Sequence, residues 1–207
     1  MIPLDDLRVY LPKYLSAENY DQLISQLRDF PANIDKRMYT TGLEPNIIYQ
    51  GDALDDMPVV NIDNLELGVK NRPCMIVSNT CDMDTANKRL FPTTILYTPI
   101  FQLGNYVKIL MQYGASEEKI KNHLSDVKAQ RVSSMFYLPS IGDLGESIVF
   151  LDRILNVSQK FIDRDTVESR RKFSLSDYGF YLFVFKLSIH LSRVREGVNR
   201  GSINQQE

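Results

Sequence analysis

The stretch from Arg72 to Asp82 most limits what this chain can fold into, because it contains one short strand with two clear ends. Proline is tolerated at the start of a strand, since it has no N–H to donate to a neighbouring strand, and Pro73 stands at that position. Residues 75–77 are apolar, as in a buried strand, and residues 78–80 (Ser-Asn-Thr) are typical of a turn. The segment therefore predicts a sheet in which polar residues gather where this strand ends.

The composition is that of an ordinary globular protein. The 207 residues are 43% hydrophobic and 24% charged, which suffices for one domain with additions. No stretch approaches the roughly 20 apolar residues of a membrane span, and the first residues lack the basic and apolar regions of a signal peptide. We therefore expect a cytoplasmic protein without a membrane partner. The net charge of −2 argues against a general nucleic-acid coat but leaves room for a local basic groove.

Charge is unevenly distributed along the chain. Residues 44–66 contain six acidic and no basic side chains, whereas residues 153–172 contain six basic and three acidic ones. Such a gradient is consistent with a binding face or with ordinary solvated surface.

Residues 1–45 are predicted to form an N-terminal helical extension. Ser16 is suited to cap a helix whose apolar residues recur at i, i+3, i+4 and i+7, and Pro31 ends this pattern. The apolar residues are Tyr20, Leu23, Ile24 and Leu27. No chemistry is assigned to this region.

Residues 46–198 are predicted to form one α+β domain. Strands are expected at residues 46–50, 72–77, 90–100, 134–138 and 146–151, with a polar loop over residues 52–68. A helical hairpin is expected at about residues 103–131, a final helix over residues 176–196 capped by Ser174 or Ser176, and a disordered tail over residues 199–207. Short strands with polar connections favour a small β barrel over an open sheet.

Four segments, taken in chain order, resemble the MazF/PemK family of small toxin barrels, many of which are ribonucleases. They are Gly51-Asp52, Arg72-Pro73 through Ser78-Asn79, Pro99-Ile100, and Leu151-Asp152-Arg153-Ile154. The resemblance implies a small SH3-like β barrel with an inserted helical hairpin, an N-terminal helical extension and a C-terminal helix. One position departs from the family pattern, because Phe101 stands where a threonine is expected.

The resemblance also implies a function, metal-independent cleavage of single-stranded RNA with neither metal nor cofactor. Arg72 would stabilise the charge that develops on the scissile phosphate, since its planar guanidinium gives two parallel hydrogen bonds to phosphate oxygens. The missing threonine hydroxyl leaves Ser78, Thr80 and Gln102 as alternatives that spacing does not separate. The residues expected to line the groove are Asn79, Asp82 and Phe101, and Phe101 either stacks on a base or packs in the core.

The same resemblance implies a toxin or phage-defence role, an antitoxin as protein partner, and a homodimer. The alternative is a catalytically silent barrel that binds a protein or a nucleic acid. The substitution at Phe101, the net acidity and the helical additions all favour this alternative.

The sequence also contains two further candidate sites, one for thiol chemistry and one for a cation. Cys81 with His123 or His190 has the residue types of a thiol nucleophile and its base, although two free thiols are the ordinary expectation for Cys74 and Cys81 in a reducing compartment. Asp82-Met83-Asp84 offers oxygen ligands for a hard cation, but acidic pairs in loops are mostly solvated.

Overall fold

The computed structural model describes residues 34–61, 66, 68–91 and 93–192 of the chain. The helices predicted before residue 34, including those with Ser16 and Pro31, and the predicted tail over residues 199–207 lie outside the described residues. No helix in the described ranges has both the length and the apolar character needed to cross a lipid bilayer.

An eight-stranded antiparallel sheet forms the centre of the α+β fold, in the order β1-β8-β2-β3-β4-β6-β5, with β7 also paired to β4. The strands are β1 (Tyr39–Thr40), β2 (Ala53–Val60), β3 (Val69–Ile76), β4 (Thr94–Gln102), β5 (Met135–Leu138), β6 (Ser147–Phe150), β7 (Leu155–Ser158) and β8 (Arg171–Leu175).

Helices lie before, between and after these strands along the chain. They are α1 (Ile34–Arg37), α2 (Thr80–Met83), α3 (Leu103–Gln112), α4 (Glu117–Lys128), α5 (Val167–Arg170) and α6 (Asp177–Ser192). The pair α3 and α4 stands where the sequence predicts a helical hairpin. The final helix begins as expected after Ser176, whose hydroxyl oxygen accepts a hydrogen bond from the Gly179 N–H at 3.1 Å.

The described sheet is open, so the closed barrel expected from the sequence is not seen in its backbone pairing. β1 and β5 are the two ends of the strand order. Side chains nevertheless connect these ends: the Tyr39 hydroxyl donates to the carbonyl oxygen of Pro139, just after β5, at 2.6 Å. Lys172 on β8 forms an ion pair at 2.9 Å with Asp143, in the loop between β5 and β6. The sheet therefore curves until its two ends are in contact.

The inner end of β3, from Cys74 to Ile76, is buried on both faces and separates two hydrophobic clusters. Met75 and Val77 belong to the larger cluster, which also holds residues of β4, β5, β6, β8 and α6. Cys74 and Ile76 belong to a smaller cluster with residues of β2, β4 and the segment around Ile162. Because alternate residues of a strand point to opposite faces, this one strand carries both cores.

The first strand of the sheet core was predicted in the wrong place. Residues 46–50 form no strand, and β2 instead covers residues 53–60, which the sequence predicts as a loop. Asp55 and Asp56 gave the loop prediction, yet Asp56 takes φ +59° at a register shift between Leu54 and Met57, which lets both of these apolar residues reach the smaller core.

Candidate functional site

Arg72 lies in the outer part of β3, paired in register with Met57 of β2, and its side chain is exposed. Within the described ranges, the side chain of Arg72 takes part in no hydrogen bond, ion pair or ring contact. Its guanidinium is therefore available to an anion.

Phe101 on β4 is half-buried between an aromatic ring and a cation. Its ring meets that of Phe150 edge to face at 5.3 Å between centroids. The guanidinium of Arg153 lies over both rings, 5.5 Å from the Phe101 centroid and 4.2 Å from the Phe150 centroid, within the range of a cation–π interaction. Phe101 is thus packed against the core, yet it remains partly accessible beside a second arginine.

Arg72 and Phe101 lie at the same end of two neighbouring strands. The ladder between β3 and β4 ends at the pair Cys74↔Pro99, and each of the two residues lies two positions beyond that pair. Gln102 follows Phe101 as the N-terminal cap of α3, with an exposed side chain. Arg153 is assigned to this end through its contact with Phe101, and we call Arg72, Phe101, Gln102 and Arg153 the arginine end of β3.

The other predicted site residues stand at the opposite end of β3. Six residues of extended chain separate Arg72 from Ser78, which corresponds to about 20 Å. Ser78 is buried, and its hydroxyl oxygen accepts a hydrogen bond from the Leu96 N–H at 2.8 Å. The Thr80 hydroxyl oxygen accepts one from the Gln50 N–H at 3.0 Å. The structure therefore does not bring the predicted hydroxyls together with Arg72.

Asn79 and Asp82 also have local partners at this opposite end. Asn79 caps α2, and its side-chain oxygen accepts a hydrogen bond from the Cys81 N–H at 2.9 Å. Asp82 forms an exposed ion pair with Arg89. These contacts order the segment after β3, where the sequence predicts a turn over residues 78–80 and the structure has a bend at Ser78 followed by the short helix α2.

A cavity of about 760 Å³ opens beside this turn, and the sequence gives no signal for it. Its volume lies in the range of small-molecule sites. Tyrosines and polar side chains from distant segments line it, among them Arg37, Tyr39, Tyr49, Gln50, Thr80 and Tyr178. Thr80 thus faces this cavity, at the end of β3 away from Arg72.

The Gly51-Asp52 motif forms a buried turn. Gly51 has φ +90°, and a Cβ atom there would lie 2.6 Å from Leu175 Cδ1, so the position requires glycine. The Asp52 carboxylate is fully buried and accepts hydrogen bonds from Tyr49 N–H at 2.9 Å, Arg171 Nε at 3.1 Å and the Ser174 hydroxyl at 2.6 Å. Burial raises the pKa of Asp52, and these donors offset part of that rise.

The acidic and basic runs of the sequence lie next to each other, because β2 pairs with β8. Asp52 pairs with Arg171, and Asp55 pairs with Lys172 at 3.3 Å. Arg170 donates to the carbonyl oxygens of residues 55 and 56. Much of the charge gradient is therefore neutralised within the fold.

The two cysteines differ sharply in their surroundings. Cys74 is fully buried, and desolvation raises its pKa to about 12, whereas Cys81 is exposed.

His123 accepts or donates a hydrogen bond at 2.9 Å with the Tyr106 hydroxyl, and His190 is half-buried on α6. In the described part of the chain, no three His, Cys, Asp or Glu side chains cluster as metal ligands would.

We expect a thiol reagent such as Ellman's reagent to label one cysteine of the native protein. The thiolate is the reactive form, so Cys81 should react and Cys74 should react only after denaturation. Cys81→Ser should abolish native labelling. Labelling of Cys81 at a selectively high rate near neutral pH would favour the thiol-enzyme alternative, and equal labelling of both native thiols would contradict the burial of Cys74.

No model of a known protein family matches the chain, and a search of curated proteins found no relative.

Proposed function

We propose that this chain is a MazF/PemK-like toxin or defence protein that acts on single-stranded RNA at the arginine end of β3. The curved sheet, with its ends joined by Tyr39 and Lys172, would be a partly open form of the family's SH3-like barrel. The observation that carries the proposal is the pair of accessible guanidinium groups at this end. The side chain of Arg72 has no partner among the described residues, and the guanidinium of Arg153 lies over the rings of Phe101 and Phe150.

Each part of this surface suits a different part of an RNA strand. Arginine forks bind phosphate oxygens with two parallel hydrogen bonds, and single-stranded bases stack on aromatic rings or on guanidinium planes. Arg72 would bind a phosphate, and Arg153 with Phe101 would provide a stacking surface for an adjacent base. Gln102 would supply an amide to a base edge.

Cleavage at this site requires groups that move protons as well as cations. Attack by the ribose 2′-hydroxyl needs a general base, and the departing oxygen needs an acid. Phe101 offers no hydroxyl, and Ser78 and Thr80 accept backbone hydrogen bonds about 20 Å away along β3. This arrangement favours the second candidate, a catalytically silent barrel that binds RNA or an antitoxin-like protein at the same arginines.

The test is incubation of the pure protein with a long single-stranded RNA in EDTA, together with anisotropy binding measurements at several salt concentrations. We expect Arg72→Ala to weaken binding about tenfold or more, because hydrogen bonds to a charged group contribute roughly 1.5–3 kcal/mol each. The slope of log affinity against log salt should also fall by about 1, the value for one lost phosphate contact.

Arg131→Ala is the matched control, because Arg131 is an exposed arginine paired with Asp126 at the end of the helical hairpin. It should leave binding unchanged. Discrete cleavage that disappears in Arg72→Ala would establish a metal-independent ribonuclease, and intact RNA with binding that depends on Arg72 would establish the silent module. RNA affinity equal in Arg72→Ala and wild type would contradict the proposal in both forms.

A further inference from the structure

A tyrosine and a histidine of the helical hairpin are hydrogen-bonded to each other beside the arginine end of β3. The Tyr106 hydroxyl on α3 and Nε2 of His123 on α4 are 2.9 Å apart, and both side chains are half-buried. A proton can pass between a phenol and an imidazole in such contact. The hairpin thus holds groups that move protons, which Arg72, Phe101 and Gln102 do not provide.

The ring of Phe150 connects this pair to the arginine end. Phe150 meets Tyr106 edge to face at 5.8 Å between centroids, and it meets Phe101 in the same way at 5.3 Å. The guanidinium of Arg153 lies 4.2 Å from the same Phe150 centroid. Burial raises the pKa of Tyr106, and the positive charge of Arg153 offsets part of that rise. Tyr106 therefore lies within electrostatic reach of a cation that the proposed function assigns to RNA.

Both ends of the hairpin are fixed at Glu146, directly before β6. At the start of α3 the Leu103 N–H donates to the Glu146 carbonyl oxygen at 2.8 Å, and at the end of α4 the Lys128 ammonium pairs with the Glu146 carboxylate at 2.5 Å. Leu103 and Val127 are buried in the larger core. Groups that act on a substrate need such rigid support, because small displacements cost much of the rate.

We propose that Tyr106 and His123 transfer the proton in RNA cleavage at the arginine end of β3. Tyr106 is the catalytic residue, and His123 is the positioning residue behind it. The inference rests on the proposed function in its ribonuclease form. A base stacked on Phe101 and Arg153 would bring the ribose of its nucleotide next to the Tyr106 hydroxyl. The hairpin then supplies the chemistry that the hydroxyls at the other end of β3 are too distant to perform.

The reaction balances with water as its one co-reactant. The ribose 2′-oxygen forms a bond to phosphorus, and the bond from phosphorus to the 5′-oxygen of the next nucleotide breaks. The Tyr106 oxygen takes the 2′-hydroxyl proton while its own proton passes to Nε2 of His123, which carries its resting proton on Nδ1. The 5′-oxygen takes a proton from water, and the hydroxide so formed receives the proton held by His123. The products are a 2′,3′-cyclic phosphate and a free 5′-hydroxyl.

Cleavage kinetics of the full-length protein on a long single-stranded RNA in EDTA test these roles. Tyr106→Phe keeps the ring and removes the hydroxyl, so it should lower kcat about a hundredfold or more, a usual contribution of general base catalysis, and leave KM unchanged. His123→Gln should lower kcat by a similar factor. Because the two side chains act as one unit, the double variant should be no slower than Tyr106→Phe alone.

His190→Gln is the matched control, because His190 is the other histidine of the chain and lies on α6. It should keep the wild-type kcat. The unfolding midpoint of each variant should stay close to that of wild type. A fall in kcat that accompanies a matching loss of folded protein would assign Tyr106 to the fold and overturn its catalytic role.

The NMR signals of the two histidine rings give a measurement that needs no cleavage. The variants His123→Gln and His190→Gln assign each signal to its residue. A single-stranded 2′-O-methyl oligonucleotide has no 2′-hydroxyl to react, and its binding should shift the His123 signal and leave that of His190 in place. A His123 signal that does not move when the oligonucleotide is bound would show that the pair does not face the RNA.

The remaining outcomes separate this inference from the proposed function. Cleavage at the wild-type rate in Tyr106→Phe would overturn the inference and leave the ribonuclease in place. Intact RNA with the wild-type protein, together with binding that depends on Arg72, would also overturn it, and the silent module would stand. Equal RNA affinity of Arg72→Ala and wild type would overturn both.

Discussion

Replacing Asp52 by alanine should lower the free energy of unfolding by about 3–5 kcal/mol, the cost of leaving one charge of a buried pair without its partner. The Asp52 carboxylate is fully buried, and the Arg171 side chain is only 12% exposed. Loss of the carboxylate would also leave the Ser174 hydroxyl and the Tyr49 N–H without their acceptor. Urea denaturation followed by circular dichroism measures this change.

The control is Asp55→Ala, which removes a nearby carboxylate, on β2, from a more exposed pair with Lys172. Exposed ion pairs contribute roughly 0–1 kcal/mol, so this variant should stay close to wild type. The double variant Asp52→Ala with Arg171→Met should lose less than the sum of the two single variants, because the uncompensated charge is gone. A small loss for Asp52→Ala would contradict the buried pair.

The role of the Gly51-Asp52 motif is therefore structural: it stabilises the fold. The motif is one of four segments that suggest a toxin barrel, and its side chain is fully engaged inside the protein. Any effect of Asp52→Ala on RNA binding should therefore follow its effect on stability. Arg72→Ala is expected to show the reverse pattern, because its exposed side chain has no partner in the described ranges.

Sequence patterns predict the fold well where apolar periodicity and turn residues agree. β3, the helical hairpin and the cap at Ser176 are of this kind. β2 was missed because Asp55, Asp56 and Pro58 interrupt its apolar residues. Pairing with Lys172 and a local register shift accommodate the two acids, and both depend on partners that no local pattern reveals.

The candidate site was harder to predict for a geometrical reason. Arg72 and Ser78 are close in sequence and were expected in one groove. They lie at opposite ends of β3, however, because an extended strand places residues six positions apart about 20 Å from each other. The neighbour that the structure adds to Phe101 is Arg153, which comes much later in the chain, after β6. The segment that contains Arg153 carries part of the family resemblance, which assigns no role to this arginine.

Lys186 is a buried cation on α6 with an uncommon environment. Its side chain is nearly inaccessible, and Nζ donates to the Gln130 side-chain oxygen at 2.7 Å, the polar partner it has among the described residues. The same oxygen accepts from the Tyr137 N–H at 3.1 Å, while the Gln130 amide nitrogen donates to the Tyr137 carbonyl at 2.7 Å. Gln130 thus forms hydrogen bonds with both backbone polar groups of Tyr137 on β5. Lys186 donates a further hydrogen bond to the same Gln130 side-chain oxygen.

Burial lowers the pKa of Lys186 from 10.5 to about 7, and this shift makes stability depend on pH. Between these two values the unfolded chain keeps the Lys186 proton and the folded chain loses it, so the free energy of unfolding rises with pH by about 1.4 kcal/mol per unit. Lys186→Met removes this contribution. We therefore expect Lys186→Met to be more stable than wild type near pH 7, and the gap to close by about that amount per unit as the pH rises from about 7 towards 10.5.

Taking the difference between two variants cancels the contributions of all other titrating groups. Lys128→Met is the matched control, since Lys128 is exposed and pairs with Glu146, and its stability should run parallel to wild type across this range. Chemical denaturation at several pH values gives each curve. If the Lys186→Met and wild-type curves also run parallel, Lys186 keeps its charge in the folded protein, and its amine must then be reached by water or by a carboxylate from outside the described residues.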